Sequence, residues 1–180
     1  MKKKLTLALV VVLAFALGIG GTVAYLTAQT VEIENVFTVG NVKLTLEETT
    51  ENYKMVPGTD IAKDPVVTVE GGSEDAWVFV KIEESAELDN YIDYDVASAW
   101  TALPGNAGVY YCTAATQDTD NPIAVLADNE VTVKTSVTQA MMDAVTADPD
   151  LVTLTFTAYA IQQAGFETAE LAWAELNPAA

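Results

Sequence analysis

The side chains of this chain that could take part in chemistry are almost all carboxylates. Asp and Glu number 26, Lys and Arg together number eight, and there is no histidine. All eight basic residues are lysines. Without histidine the chain cannot build a Ser-His-Asp triad, a Cys-His pair or a His-ligated zinc centre. Without arginine it also lacks the bidentate clamp that many enzymes place on phosphate groups. We therefore predict that the protein is not an enzyme and has no catalytic residues.

Two acid-rich stretches contain the oxygen ligands that calcium prefers. Their candidate ligands are Asp118, Asp120 and Asn121 in the first, and Asp89, Asp93 and Asp95 in the second. Neither stretch has the glycine and the terminal glutamate of an EF-hand loop. We therefore expect solvated turns at both places and no bound metal or other cofactor, with calcium binding as the weaker alternative.

The charge of the chain excludes several classes of partner. The formal net charge is −18 at pH 7. A phosphate backbone or an anionic lipid surface repels such a chain, so we predict no nucleic-acid partner and no binding to headgroups. The single cysteine, Cys112, cannot form an intramolecular disulfide, and we expect it to pack as a small apolar residue.

The first 24 residues have the pattern of a secretory signal peptide. Lysines at positions 2–4 precede an uncharged apolar run that three glycines interrupt. Thr22 and Ala24 supply the small residues that a signal peptidase selects, which predicts cleavage between Ala24 and Tyr25 and a secreted protein. The alternative is a retained membrane anchor, since residues 5–31 carry no charge and are long enough to cross a bilayer.

After the predicted cleavage site the hydrophobic pattern changes to a period of two, which predicts a half-buried strand. The alternating apolar residues are Val31, Ile33, Phe37 and Val39. An amphipathic strand at a free N-terminus must pair with a sheet, either in its own subunit or in another. We therefore treat residues 25–40 as an N-terminal segment distinct from a single domain over residues 41–180.

Strand patterns dominate the domain. Alternation at Val42, Leu44 and Leu46 predicts a strand, and further strands are predicted within 65–70, 87–102, 109–114, 129–137 and 151–166. The stretch 75–84 is apolar on both faces, which predicts a central strand between two layers. These short strands, with turn signals between them, predict an all-β fold of the jelly-roll-like β-sandwich type, preceded by a cleavable hydrophobic signal helix.

One or two short helices complete the prediction, together with one loop. Ser136 is the expected N-cap of the first helix. The second helix is predicted over residues 168–176, with Leu171, Trp173 and Leu176 as its packing residues. The stretch 118–122, DTDNP, is predicted to be a loop.

Several stretches together resemble the TasA/camelysin family of secreted surface and biofilm-matrix fibre proteins. "GIGGTVAYLT" followed by "NVFTVGNVKLTLEE" is similar to the signal and first-strand block of substrates of the SipW-type signal peptidase. "YKMVPGTDIAKDPVVTVEGGSEDAWVFVKIEE" and "LTFTAYAIQQAGFETAELAWAEL" resemble later blocks of the family. The resemblance extends over nearly the whole chain in order and spacing.

The resemblance implies an exported jelly-roll subunit that assembles into fibres at the cell surface or in the biofilm matrix. In TasA-like filaments the segment after the cleavage site completes the sheet of the next subunit. The donor strand here would be residues 25–39, with Val31, Ile33, Phe37 and Val39 as the inserted side chains. The implied partners are further copies of the chain, head to tail, and a SipW-type signal peptidase.

Two alternatives stay open. Camelysin has been classed as a metallopeptidase, but the absence of histidine disfavours that activity for this sequence. The other alternative is a monomeric cell-surface or accessory protein whose N-terminal strand pairs with its own sheet. The alternation at residues 31–39 fits a donated strand and a self-paired strand equally well.

Overall fold

The computed structural model describes residues 41–49, 53–115 and 119–176. Within these ranges the chain is mostly β-sheet with two short α-helices, which confirms the predicted all-β class. The strands are β1 (Leu44–Glu47), β2 (Asp60–Ala62), β3 (Val66–Val69), β4 (Ala76–Glu84), β5 (Ile92–Asp93), β6 (Thr101–Ala102), β7 (Val109–Ala114), β8 (Asn121–Ala124), β9 (Glu130–Val133) and β10 (Leu154–Gln162). The helices are α1 (Gln139–Ala147) and α2 (Ala169–Leu176).

The strands form three antiparallel sheets. The first has the order β1-β3-β8, the second β10-β4-β7-β6 and the third β2-β9-β5. The first two sheets share one hydrophobic cluster, in which Val67 and Val69 of β3 meet Val78 and Val80 of β4. These four side chains are buried. Burial of this apolar surface is the main favourable contribution to folding in this part of the chain.

The prediction of a central strand at residues 75–84 is confirmed by β4. It lies between β10 and β7, and alternate side chains point into two different clusters. Val78 and Val80 face the first sheet, whereas Phe79 faces α2, where its ring centroid lies 5.2 Å from that of Trp173. A strand with an apolar side chain on both faces fits only between two layers, which explains its near-continuous hydrophobic sequence.

The third sheet carries α1 on one face. Val137, Met141 and Val145 pack in a cluster with Val133 of β9 and Tyr91. The helix begins two residues later than predicted: its N-cap is Thr138, whose hydroxyl accepts from the Met141 N–H at 3.4 Å, and not Ser136. Val137 is buried just before the helix, and this burial fixes the position of the chain there. Thr138, the next residue, is therefore the one whose hydroxyl caps the helix.

Three other predictions about elements are wrong. Asn121 and Pro122 were expected in a loop, but they belong to β8, which pairs with β3 over Val66↔Ala124 to Val69↔Asn121. Leu171 was expected to pack, but 56% of it is exposed, because Ala169 and Ala172 occupy the buried face of α2 beside Trp173. The strand predicted within residues 87–102 is instead a short 3-10 helix followed by the two-residue strands β5 and β6.

Several sequence predictions lie outside the described residues. They concern the signal peptide over residues 1–24, the cleavage position at Ala24 and Tyr25, and the donor side chains Val31, Ile33, Phe37 and Val39. Within the described ranges, neither α-helix has the length and the apolar character that a bilayer crossing requires.

Candidate strand-addition edge of strand β10

Strand β10 is a nine-residue strand at one end of the β10-β4-β7-β6 sheet. It pairs with β4 along its whole length, from Leu154↔Glu84 to Gln162↔Ala76. Among the described residues, β4 is its only strand partner. The sequence of β10, LTFTAYAIQ, contains no proline and no charged residue. Such an edge is a template onto which a further strand can add.

Two hydrogen bonds show which backbone groups of β10 point away from β4. The Ser85 N–H donates to the Thr153 carbonyl at 3.0 Å, and the Gln163 N–H donates to the Asp75 carbonyl at 2.7 Å. Because bonded and non-bonded pairs alternate in an antiparallel ladder, the odd-numbered residues of β10 bond to β4. The even-numbered residues therefore direct their N–H and C=O groups outward, and they are Leu154, Phe156, Ala158, Ala160 and Gln162.

The side chains of β10 lie between two hydrophobic clusters. Leu154, Phe156 and Ala158 pack against the cluster shared by the first two sheets. On the opposite face, Tyr159 and Ile161 pack against α2, where the Tyr159 ring meets Trp173 edge to face at 5.2 Å. These contacts hold β10 rigidly in place. An added strand would therefore meet a preformed edge with apolar surface on both sides, which reduces the entropy lost on binding.

Strand β1 follows β10 along the same side of the molecule. Asn41 and Val42 line a shallow depression with residues 160–162, and Leu46 and Glu47 line another with residues 154–156. The two strands therefore run in opposite directions beside each other. Since β1 pairs with β3 and β10 with β4, the described residues show no ladder between β1 and β10. Asn41, the first described residue, thus lies next to the Gln162 end of β10.

An ion pair between Lys63 and Glu48 lies at the end of this edge near Leu154. Lys63 is 8% exposed, and its Nζ lies 2.8 Å from Glu48 Oε1 and 5.3 Å from the ring centroid of Phe156. The Tyr53 hydroxyl donates to the same Glu48 oxygen at 2.5 Å, and its ring centroid lies 4.8 Å from the ammonium. Partners of this quality offset the cost of removing the charges from water. The sequence gives no signal of this cluster, because Glu48 and Lys63 are 15 residues apart.

The acid-rich stretches do not come together as a metal site in the described ranges. No group of three potential Asp, Glu or Cys ligands is present there. Asp120 accepts from the Gly71 N–H at 2.9 Å, and Asp93 forms an ion pair with Lys134 at 3.0 Å. Asp118, the first candidate ligand, lies outside the described residues. These two carboxylates are thus paired with protein groups.

Cys112 lies in β7, opposite Val78 of β4, and packs against the cluster shared by the two sheets. Burial raises the pKa of its thiol to about 11. The thiol is therefore protonated at neutral pH and is a poor nucleophile. This environment confirms the prediction that Cys112 packs as a small apolar side chain.

Comparisons with protein-family models, with curated proteins and with solved structures give no match for this chain. The resemblance to the TasA/camelysin family therefore stays a prediction from the sequence.

Proposed function

We propose that the chain is a secreted structural subunit of a cell-surface or biofilm-matrix fibre, with a jelly-roll domain that polymerises by donating its N-terminal strand to the next subunit. The observation that carries the proposal is the uncharged, proline-free, nine-residue edge of β10 in a protein with a net charge of −18. Proteins that stay monomeric usually protect such an edge with charges, prolines or a covering element.

The proposed occupant of this edge is the segment over residues 31–39. It has nine residues, as β10 has, and its apolar side chains occupy every second position except for Asn35. Strand addition derives affinity from main-chain hydrogen bonds and register from alternate side chains that enter pockets. The outward N–H and C=O groups of the even-numbered β10 residues supply the first requirement, and the apolar surface shared with β1 supplies the second.

Donation to a neighbour leads to a fibre because the two surfaces are different. One is the N-terminal segment and the other is the β10 edge, so the contact is heterologous and each added subunit leaves one of each unfilled. Cleavage between Ala24 and Tyr25 would release the segment from the membrane. Export would therefore precede assembly, and assembly would take place outside the cell.

The test compares two forms of the protein by negative-stain electron microscopy, one beginning at Tyr25 and one at Asn41. We expect filaments from the first form only, because the second lacks the donor. The proposal is wrong if neither form assembles at any salt concentration or pH, or if both assemble equally well.

A matched set of variants separates donation from self-pairing. Ile33→Asp with Phe37→Asp places charges on the apolar face of the donor, and we expect it to abolish filaments while the domain stays folded. Thr30→Asp with Thr38→Asp places the same two charges on the polar face and should leave assembly intact. If the double variant instead loses its cooperative thermal unfolding, the strand belongs to its own domain and the protein is a monomeric surface or accessory protein.

A further inference from the structure

The beginning of β10 opens into a cavity of about 550 Å³. Its lining is mixed, and the apolar part comes from the third sheet, from α1 and from the residues that precede β10, among them Ile61, Ile92, Val145 and Val152. Asp150 and Lys63 contribute charged groups. A concave apolar cavity of this size with a few polar groups is the usual form of a binding site.

We infer that this cavity receives the first residues of the processed chain, Tyr25 and Leu26, so that the donated strand runs parallel to β10. The inference rests on the proposed function and adds to it the direction of the donor and an anchor for its end. The length of the donor segment, the position of the cavity and the charges at the two ends of the edge support this direction.

The length of the segment fits this direction. If residues 31–39 lie along the nine residues of β10 with Val31 beside Leu154, the six residues 25–30 continue beyond the beginning of β10. At about 3.3 Å per residue they reach roughly 20 Å further. Residues 149–153, which precede β10 along this path, include lining residues of the cavity. Tyr25 and Leu26 are the large apolar side chains that then reach it.

Charge favours the same direction. Residues 25–40 contain no lysine, so the only positive group of the donor is the α-amino group that cleavage creates. Glu47 lies beside the beginning of β10, and Asp150 lines the cavity itself. The charge of Lys63 is already compensated by Glu48. An ammonium group in the cavity would therefore meet the carboxylate of Asp150, and the attraction is strengthened by partial burial.

A donated strand that runs antiparallel to β10 would find a less enclosed site for its first residues. It would place Tyr25 near the far end of β10, in the shallow depression that Val42 and Ala160 line together with the single carboxylate of Glu175. Ile161 and Phe166 also line this depression, but at about 420 Å³ it is smaller and more open than the cavity at the beginning of β10, so it would enclose a tyrosine and a leucine less completely. An added parallel strand converts an antiparallel sheet into a mixed one, which large sheets commonly tolerate.

Cysteine cross-linking between subunits tests the direction. The full chain is expressed with a signal peptidase in a Cys112→Ala background, and processed single-cysteine variants are mixed in pairs before assembly. We expect Leu26→Cys to form a disulfide-linked dimer with Pro149→Cys, which lies beside it in this register, and none with Gln162→Cys. In the reciprocal pair, Val39→Cys should link to Gln162→Cys and not to Pro149→Cys. Because each cysteine is in a different subunit, a self-paired strand gives no dimer.

The outcomes distinguish the inference from the proposed function. Filaments together with the predicted pairs support both. Filaments in which Leu26→Cys links to Gln162→Cys, or to neither position, overturn the parallel direction and leave fibre formation standing. Absence of filaments from the processed parent chain, imaged before any cysteine is introduced, overturns the proposed function and this inference together. Thermal unfolding of each variant, followed by circular dichroism, confirms that the domain is folded before mixing.

Discussion

Strands β8 and β10 are both edges of the two sheets that share a core, but they differ in how their outward sides are treated. The Val125 N–H donates to the Pro65 carbonyl at 2.9 Å, so the odd-numbered residues of this strand bond to β3 and Pro122 points outward. Proline has no N–H to offer a further strand. The outward carbonyl of Ala124 accepts from the indole N–H of Trp100 at 2.8 Å.

Within the described residues, the outward backbone groups of β8 are therefore not free to bond to a further strand, whereas those of β10 are. On β8, Pro122 has no N–H to donate to another strand, and the Ala124 carbonyl already accepts from Trp100. On β10, the five outward residues carry neither a charge nor a proline, over more than twice the length of β8. A chain with 26 acidic residues could have placed one of them there. The uncharged edge is thus the feature that the proposed function explains.

The largest effect is expected from a proline on the outward side of β10. Ala158→Pro removes an outward N–H while the bonds to β4, made by the odd-numbered residues, are retained. We expect the domain to stay folded and filaments to be lost, as seen by electron microscopy and by circular dichroism. Ala158→Ser keeps the N–H and is the matched control. Filaments of normal yield from the proline variant would show that β10 is not the acceptor.

A charge on the same edge should weaken assembly without abolishing it. Ala160→Lys would place an ammonium group where a donated strand excludes water, and we expect a roughly tenfold loss of affinity, or about 1.4 kcal/mol. Sedimentation of filaments at several protein concentrations measures the shift in the critical concentration. Ala160→Gln, of similar length but neutral, is the control. An equal loss in both variants would attribute the effect to size and not to charge.

Lower pH should favour assembly to a moderate extent. Removal of the three lysines in residues 1–24 leaves the processed chain at −21, and protonation of carboxylates as the pH falls toward about 5 reduces repulsion between subunits. Hydrogen bonds to the Thr49 hydroxyl and N–H lower the pKa of Asp64, and its own backbone N–H lowers that of Glu170. Light scattering follows the yield, and a yield that rises with pH would contradict the prediction.

The same two groups limit the benefit of acid. A carboxyl group with a lowered pKa in the folded state stabilises the fold above its unfolded pKa, and this contribution is lost as the pH falls through the folded value. Asp64 and Glu170 therefore keep their charge to a lower pH than an unperturbed carboxyl group does. We expect assembly to improve from neutral pH downward and the thermal stability of the domain to fall only at still lower pH.

The smallest effect is expected on the closed edge. Pro122→Val restores an outward N–H on β8, but the strand has four residues and Trp100 still occupies the Ala124 carbonyl. We expect normal fibres and at most a slight increase in lateral association, measured by sedimentation. The combination with Ala158→Pro is the decisive control. If Pro122→Val restored filaments to that variant, the two edges would be interchangeable and the comparison would fail.

The sequence predicted those parts of the fold in which the hydrophobic pattern is long and regular. Strand β4 was identified as central because Val78 and Phe79 represent two apolar faces, and β10 because of its long run of β-branched and aromatic residues. Short elements were less predictable. Pro122 looked like part of a loop, and only its pairing with Thr68 shows that it lies in a strand. The exposure of Leu171 depended on which face of α2 meets Phe79.

The composition of the candidate edge, the alternation at residues 31–39 and the absence of histidine-dependent catalytic and metal sites can be read from the sequence alone. These properties are local, so they can be read from types and spacing. Only the tertiary structure decided that β10 has one described partner, that its even-numbered residues point outward and that Lys63 meets Glu48 at its end. Strand order and ladder phase depend on contacts between residues far apart in the chain, and a periodic pattern fits more than one arrangement of such contacts.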